Sequence, residues 1–178
     1  MKMIMLATCA VLGLTCPAHA GGIAFTFDDG YESVDTIVRP LMDEYSIPGT
    51  AFISTGLLGD KGYLTEAELR QLAADPNWEL GAHTINHGDL TLMSDQELER
   101  NLVEPLDYLR KFGQVVALAS PFGYYNEHVL TEVAKHYDSH VNAWSDTNGI
   151  NRWATLDLMN INRWTIRNTD TSEAVCKK

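Results

Sequence analysis

The chain has 178 residues, 45% of them apolar and 21% charged, and a formal net charge of −11. That length suits one domain with its own core and falls short of two. So acidic a balance disfavours nucleic acid and anionic membranes as partners, and suits a neutral or cationic substrate.

Residues 1–20, "MKMIMLATCAVLGLTCPAHA", read as a secretory signal peptide. Lys2 supplies the positive start, Met3 to Leu14 the apolar core, and Ala18-His19-Ala20 a small-x-small cleavage site. The apolar run is too short for a permanent membrane anchor. A mature domain over 21–178 is therefore expected, secreted or periplasmic, with cleavage near Ala20. Cys9 and Cys16 leave with the leader and Cys176 stays alone, so packing or a metal, and no internal disulfide, holds the fold.

Strand-like and helix-like segments then alternate. Residues 22–27 read as a strand, and 33–46 as a helix carrying Val34, Ile37, Val38, Leu41, Met42 and Tyr45 at helical spacing. "TAFIST" (50–55) and "WELGAH" (78–83) are strands, separated by a helix that opens on a Thr65/Glu68 capping box. A long helix over 94–112 has a second box, Ser94/Glu97, and Pro105 is expected to kink or break it. "VVALAS" (115–120), a helix over 126–137, "HVNAW" (140–144) and "NINRWTI" (160–166) follow, while 145–159 gives no clear signal. Such alternation predicts an α/β fold with a parallel sheet, either a barrel or a doubly wound sheet.

Chemistry in these folds gathers at the carboxyl ends of the strands. The first strand ends in Asp28-Asp29-Gly30, the third in "HTINH" (83–87) and the fourth in Pro121-Phe122-Gly123. Paired acids before a glycine are often only a turn. Two histidines at i, i+4 are often only surface residues. Together they offer His83, His87 and a carboxylate, the ligand set of a catalytic zinc with one open position. One aspartate then serves the cation, and the other takes a proton from a nearby water. Zinc suits these ligands, and cobalt, nickel or iron would also accept them.

"TFDDG", "HTINH" and the Pro-Phe-Gly turn resemble three ordered motifs of the polysaccharide deacetylases, the NodB-homology or carbohydrate esterase family 4 enzymes. The likeness spans nearly all of residues 22–170. It implies a distorted, incomplete (β/α) barrel that removes acetyl groups from N-acetylglucosamine polymers, with an acetylated polysaccharide or oligosaccharide as partner. It also implies Asp28 as general base, Asp29, His83 and His87 as metal ligands, and the backbone near Pro121 and Phe122 as the oxyanion and substrate turn. Ala119 stands where the family's third motif commonly carries an Arg that orients the base. This resembles the Arg-less branch that includes poly-β-1,6-N-acetylglucosamine deacetylases, as does the "NINRWTI" ending. The family's later motifs, including its acid histidine, are missing.

His128, at the start of a helix bordering the cleft, is the remaining candidate for the general acid. His136 reads as a solvated helix residue, and His140 as a structural residue far from the catalytic end. Trp144 is either core or a sugar-subsite residue. The rival readings are a carbohydrate O-acetyl esterase on the same scaffold and a non-catalytic carbohydrate-binding domain.

Overall fold

The computed structural model describes residues 22–143, 150–166 and 170–172. Five parallel strands, β1 (Phe25–Phe27), β2 (Gly49–Ile53), β3 (Trp78–Ala82), β4 (Ala117–Ala119) and β5 (Ser139–Val141), pair in sequential order. A doubly wound sheet reverses its order at a switch point. This sheet has no reversal and curls as an incomplete (β/α) barrel. The leader, Trp144 and Cys176 lie outside the described residues.

Local signals set several elements. In α2 (Glu66–Ala74) and α3 (Asp95–Leu109) both capping boxes form, with Thr65 and Ser94 accepting from the Glu68 and Glu97 amides and each glutamate reaching back. The box satisfies first-turn N–H groups that the helix itself leaves open. Pro105 does not break α3. It lies buried among Leu98, Leu102, Leu106 and Leu109, and removes one donor from a helix whose apolar face is fully packed. A short α4 (Glu127–Val133) starts from Asn126, which accepts from the Val129 amide.

Other elements depart from the sequence pattern. The first helix divides into a wide turn over Val34–Val38, closed by Arg39 N–H donating to Val34 O, and α1 (Arg39–Glu44). Pro40 follows the wide turn and has no N–H to donate, so the ordinary ladder cannot run through it. Val34 and Met42 enter the core, whereas Ile37, Leu41 and Tyr45 stay exposed. "HTINH" is a turn and no helix, with Thr84 and His87 at positive φ (66° and 55°). The last expected strand reduces to one bridge residue, Ile161, parallel to Val141. Asparagine side chains compete there for backbone partners: Asn151 accepts from Asn162 N–H and donates to Asn162 O.

His140 is completely buried and nearer the catalytic end than its sequence position suggests. Its Nδ1–H donates to Met159 O (3.0 Å), and its Nε2 accepts from the hydroxyl of Ser120 (2.8 Å), which opens the Pro121–Gly123 turn. Its backbone bonds Leu158 O and Ile161 N–H. One residue thus joins β4, β5 and the segment 158–161. Burial pushes its pKa down to about 4.

An unfolded chain therefore takes up a proton near pH 6.5 that the folded chain refuses until about pH 4. His140 contributes stability that is complete above pH 6.5 and is lost as pH falls toward 4. Urea unfolding at pH 7 and pH 5 should show the wild type losing about 2 kcal/mol more than His140→Gln over that interval. Equal losses would show that His140 does not carry the effect.

Candidate active site

β1 ends by turning its two acids apart. Asp29 has φ 73° and Gly30 φ 81°, so neighbouring carboxylates leave the strand in different directions. Asp29 Oδ1 lies 3.3 Å from His83 Nε2 and 3.2 Å from His87 Nε2. The family's other expected positions collect around them. Phe122 sets its ring edge-on to His87 at 4.5 Å between centroids, and Pro121 is buried beneath the same turn.

The second strand end and α3 hold the histidine turn in place. Ser54 Oγ donates to His83 O, the Thr55 and Gly56 amides donate to Thr84 O and Ile85 O, and Asn101 accepts from Ile85 N–H. Among the described residues five non-glycine positions have positive φ, and Asp29, Thr84, His87 and Phe122 are four of them. Each such conformation costs roughly 1–3 kcal/mol and persists only where surrounding contacts fix it. The strain is concentrated at one end of the sheet.

Electrostatics show what this arrangement requires. His83 Nδ1 lies 2.7 Å from the carbonyl of Ala119, and a carbonyl can only accept, so Nδ1 carries the proton. Nε2 is then the atom that faces Asp29 Oδ1, and this oxygen is buried and makes no hydrogen bond of its own. Burial and the neighbouring His83 lower the proton affinity of His87. Burial alone would push the Asp29 carboxyl up, but the two imidazoles and the Tyr31 hydroxyl hold it below its ordinary value. A cation between the three groups would satisfy the orphaned oxygen. Asp29, His83 and His87 fit a divalent ion by donor type, and their ligand atoms lie within 4.8 Å of one another.

Asp28 has a different partner. Arg163 forks onto it, Nη1 to Oδ1 at 2.7 Å and Nη2 to Oδ2 at 2.8 Å. The guanidinium is held by Asn142 O (2.8 Å) and Thr26 Oγ1 (3.0 Å), and lies 5.5 Å above the Phe52 ring. Phe52 can lie flat there because residue 81 is glycine: a Cβ at Gly81 would collide with its ring. Ala119 offers Asp28 no partner, and Arg163 arrives to hold it from the far end of the chain. The "NINRWTI" segment was the signal, although its strand-like pattern concealed what its arginine does.

His128 lies elsewhere, on α4, with Nε2 3.0 Å from Asp95 of α3. His136, expected as a solvated helix residue, lies half-buried in the turn after α4 and contacts Glu99 of α3 at 3.0 Å.

With this geometry, the family assignment is direct. The polysaccharide deacetylase profile matches residues 17–140. The chain belongs to the polysaccharide deacetylase family. It is 26% identical over 154 residues to the peptidoglycan-N-acetylglucosamine deacetylase of Bacillus cereus, covering 86% of this chain and 70% of that one. It is 25% identical over 124 residues to the poly-beta-1,6-N-acetyl-D-glucosamine N-deacetylase of Staphylococcus aureus, covering 61% and 43%. The Streptococcus pyogenes deacetylase PplD, solved in complex with acetate, is similar at a TM-score of 0.73 and 26% identity, covering 86% and 68%. The chain spans about two fifths of the length of some curated relatives it matches.

Zinc added to the chelator-treated chain at a hundredfold excess over its dissociation constant should raise the thermal midpoint by roughly 5–10 °C. His87→Ala should show no such rise. An equal rise in that variant would place the ion elsewhere.

Proposed function

We propose that this chain is a metal-dependent deacetylase that removes N-acetyl groups from a β-linked N-acetylglucosamine polymer. One observation carries the reading: a carboxylate with an orphaned buried oxygen converges with two imidazoles, beside a second carboxylate held by an arginine fork. Two relatives bear names of N-acetylglucosamine deacetylases, one for peptidoglycan and one for a β-1,6 polymer. Substrates of that kind lie outside the cytoplasm, which agrees with export by residues 1–20. No described helix is long and apolar enough to cross a membrane.

Asp29, His83 and His87 hold the ion, which we take to be zinc. When bound, a zinc ion supplies Lewis acidity to an acyl oxygen and lowers the pKa of a nearby water. The remaining steps belong to the chain. Asp28 takes the proton from the attacking water, its carboxylate fixed in direction by both nitrogens of Arg163. We assign the backbone N–H near Phe122, on the turn whose ring contacts His87, to stabilising charge on the former acetyl oxygen.

A departing amine needs a proton. The Nε2 of His128 is engaged by Asp95, so we assign the return of the proton to Asp28, which has just received it. This spares the site a separate acid, which an ester would not need either. Acetylated xylan is therefore the informative comparison substrate.

Asp28→Asn should keep its metal and lose roughly 10²–10⁴-fold in acetate release from N-acetylglucosamine oligomers, the usual worth of a general base. Asp29→Asn should instead lose the ion. Metal content falling more in the Asp28 variant would reverse the two roles, and release from acetylxylan alone would make the chain an esterase.

Arg163→Lys retains the charge and loses the fork, so kcat should fall about tenfold or more at unchanged metal content. An unaltered kcat would remove Arg163 from the account of the base.

A further inference from the structure

Phe122 and Gly123 follow one another in the left-handed region, at φ 58° and 73°. With ψ 1°, Phe122 stands as the third residue of a type II turn, a place that ordinarily goes to glycine or asparagine. The turn closes through Gly123 N–H donating to Ser120 O (3.0 Å), and Tyr124 N–H donates to Pro121 O (3.1 Å). The same closing bond serves a type I turn, which would spare Phe122 the strain. Contacts beyond the turn must therefore select the strained form.

Two side chains behind the turn are placed to do so. Ser120, the residue before it, is buried, and its hydroxyl lies 2.8 Å from Nε2 of the fully buried His140. Tyr125, two residues after the turn, sets its ring edge-on to the same imidazole at 5.5 Å between centroids. One ring thus meets the chain on both sides of Pro121–Gly123. It is also fixed from behind: Nδ1–H donates to Met159 O (3.0 Å), His140 N–H to Leu158 O (2.8 Å), and His140 O accepts from Ile161 N–H (2.9 Å). Because Nδ1 faces a carbonyl, Nε2 of the neutral ring is bare and the Ser120 hydroxyl donates to it.

We infer that Ser120 and His140 are positioning residues, which hold the Pro121–Gly123 turn in the left-handed form that presents its backbone N–H to the acetyl oxygen. What the turn does rests on the deacetylase reading; what holds it rests on the hydrogen bonds alone. Relaxation to a type I turn would turn the Pro121–Phe122 peptide over, and the Phe122 N–H with it. Loss of the Ser120 hydroxyl leaves a buried imidazole nitrogen without its donor and lets the turn relax. Charge on the acetyl oxygen develops only in the transition state, so a misdirected N–H lowers kcat and leaves KM in place.

Kinetics of the full zinc-loaded chain on a β-1,4 N-acetylglucosamine pentamer test this with three variants. Ser120→Ala should lower kcat about tenfold or more, at unchanged KM and zinc content. At His140 two amides divide the ring's functions between them. Glutamine still reaches Ser120 with an acceptor, whereas asparagine keeps only the Met159 side. His140→Asn should therefore match the loss in Ser120→Ala, and His140→Gln should recover most of it. Equal losses in the two His140 variants, or an unchanged kcat in Ser120→Ala, would overturn the inference. Should Ser120→Ala fail to fold, the two His140 variants carry the same comparison.

A spectroscopic signature separates this idea from the deacetylase reading, because it needs no turnover. In a type II turn the Pro121 Hα lies close to the Phe122 N–H, and in a type I turn the two move apart. The nuclear Overhauser effect between them should be strong in the wild type and in His140→Gln, and weak in Ser120→Ala and His140→Asn. Should the wild type release no acetate from any N-acetylated oligomer, the deacetylase reading fails and this signal alone decides whether the pair holds the turn. An equally strong signal in Ser120→Ala would reject it.

Discussion

The site depends on one unsatisfied oxygen. Asp29 Oδ1 is buried without a hydrogen bond of its own, 3.3 Å from His83 Nε2 and 3.2 Å from His87 Nε2. A domain that only needed to fold would have little reason to keep it, because an unpaired buried polar atom is costly. The surroundings hold it so: Ala119 O orients the His83 ring, and β2 and α3 fix the turn that carries both histidines. Positive φ at Asp29, Thr84 and His87 gives the same indication. The backbone is strained at three positions whose neighbourhood brings Asp29, His83 and His87 to one point, and these groups fit a divalent ion by donor type.

A second interaction separates the two acids. Adjacent aspartates would otherwise repel each other, but the left-handed turn at Asp29 sends one toward the histidines and leaves the other to Arg163. The arginine also has an architectural effect. The sheet ends at β5, with Ile161 bridged to Val141, and Arg163 reaches from that edge to Thr26 on β1 and to Asp28 just after it. A side chain therefore spans part of the gap that further strands would close in a complete barrel. Gly81 and Phe52 support it from below.

What the sequence revealed was mostly local or motif-borne. The capping boxes at Thr65 and Ser94 formed because each depends on residues three apart. Three strand-end motifs located Asp29, His83, His87 and Phe122 because parallel α/β folds place such ends together. Features that required distant or irregular contacts were hidden. Pro105 suggested a break, but the buried leucine face around it kept α3 whole. Asn151 and Asn162 bond across eleven residues and dissolve an expected strand, leaving Ile161 alone in a bridge. Arg163 meets Asp28 across 135 positions, and no spacing rule reaches so far. His140 read as remote because its sequence position gives no hint that its ring reaches Ser120.

Zinc-edge X-ray absorption on the stoichiometrically loaded chain tests the central claim most directly, because it reports the atoms around the ion. The account predicts one zinc per chain with two imidazole nitrogens and carboxylate oxygen as ligands, at about 2.0–2.2 Å. A spectrum of oxygen ligands alone, or a chain that takes up no stoichiometric zinc, would contradict it.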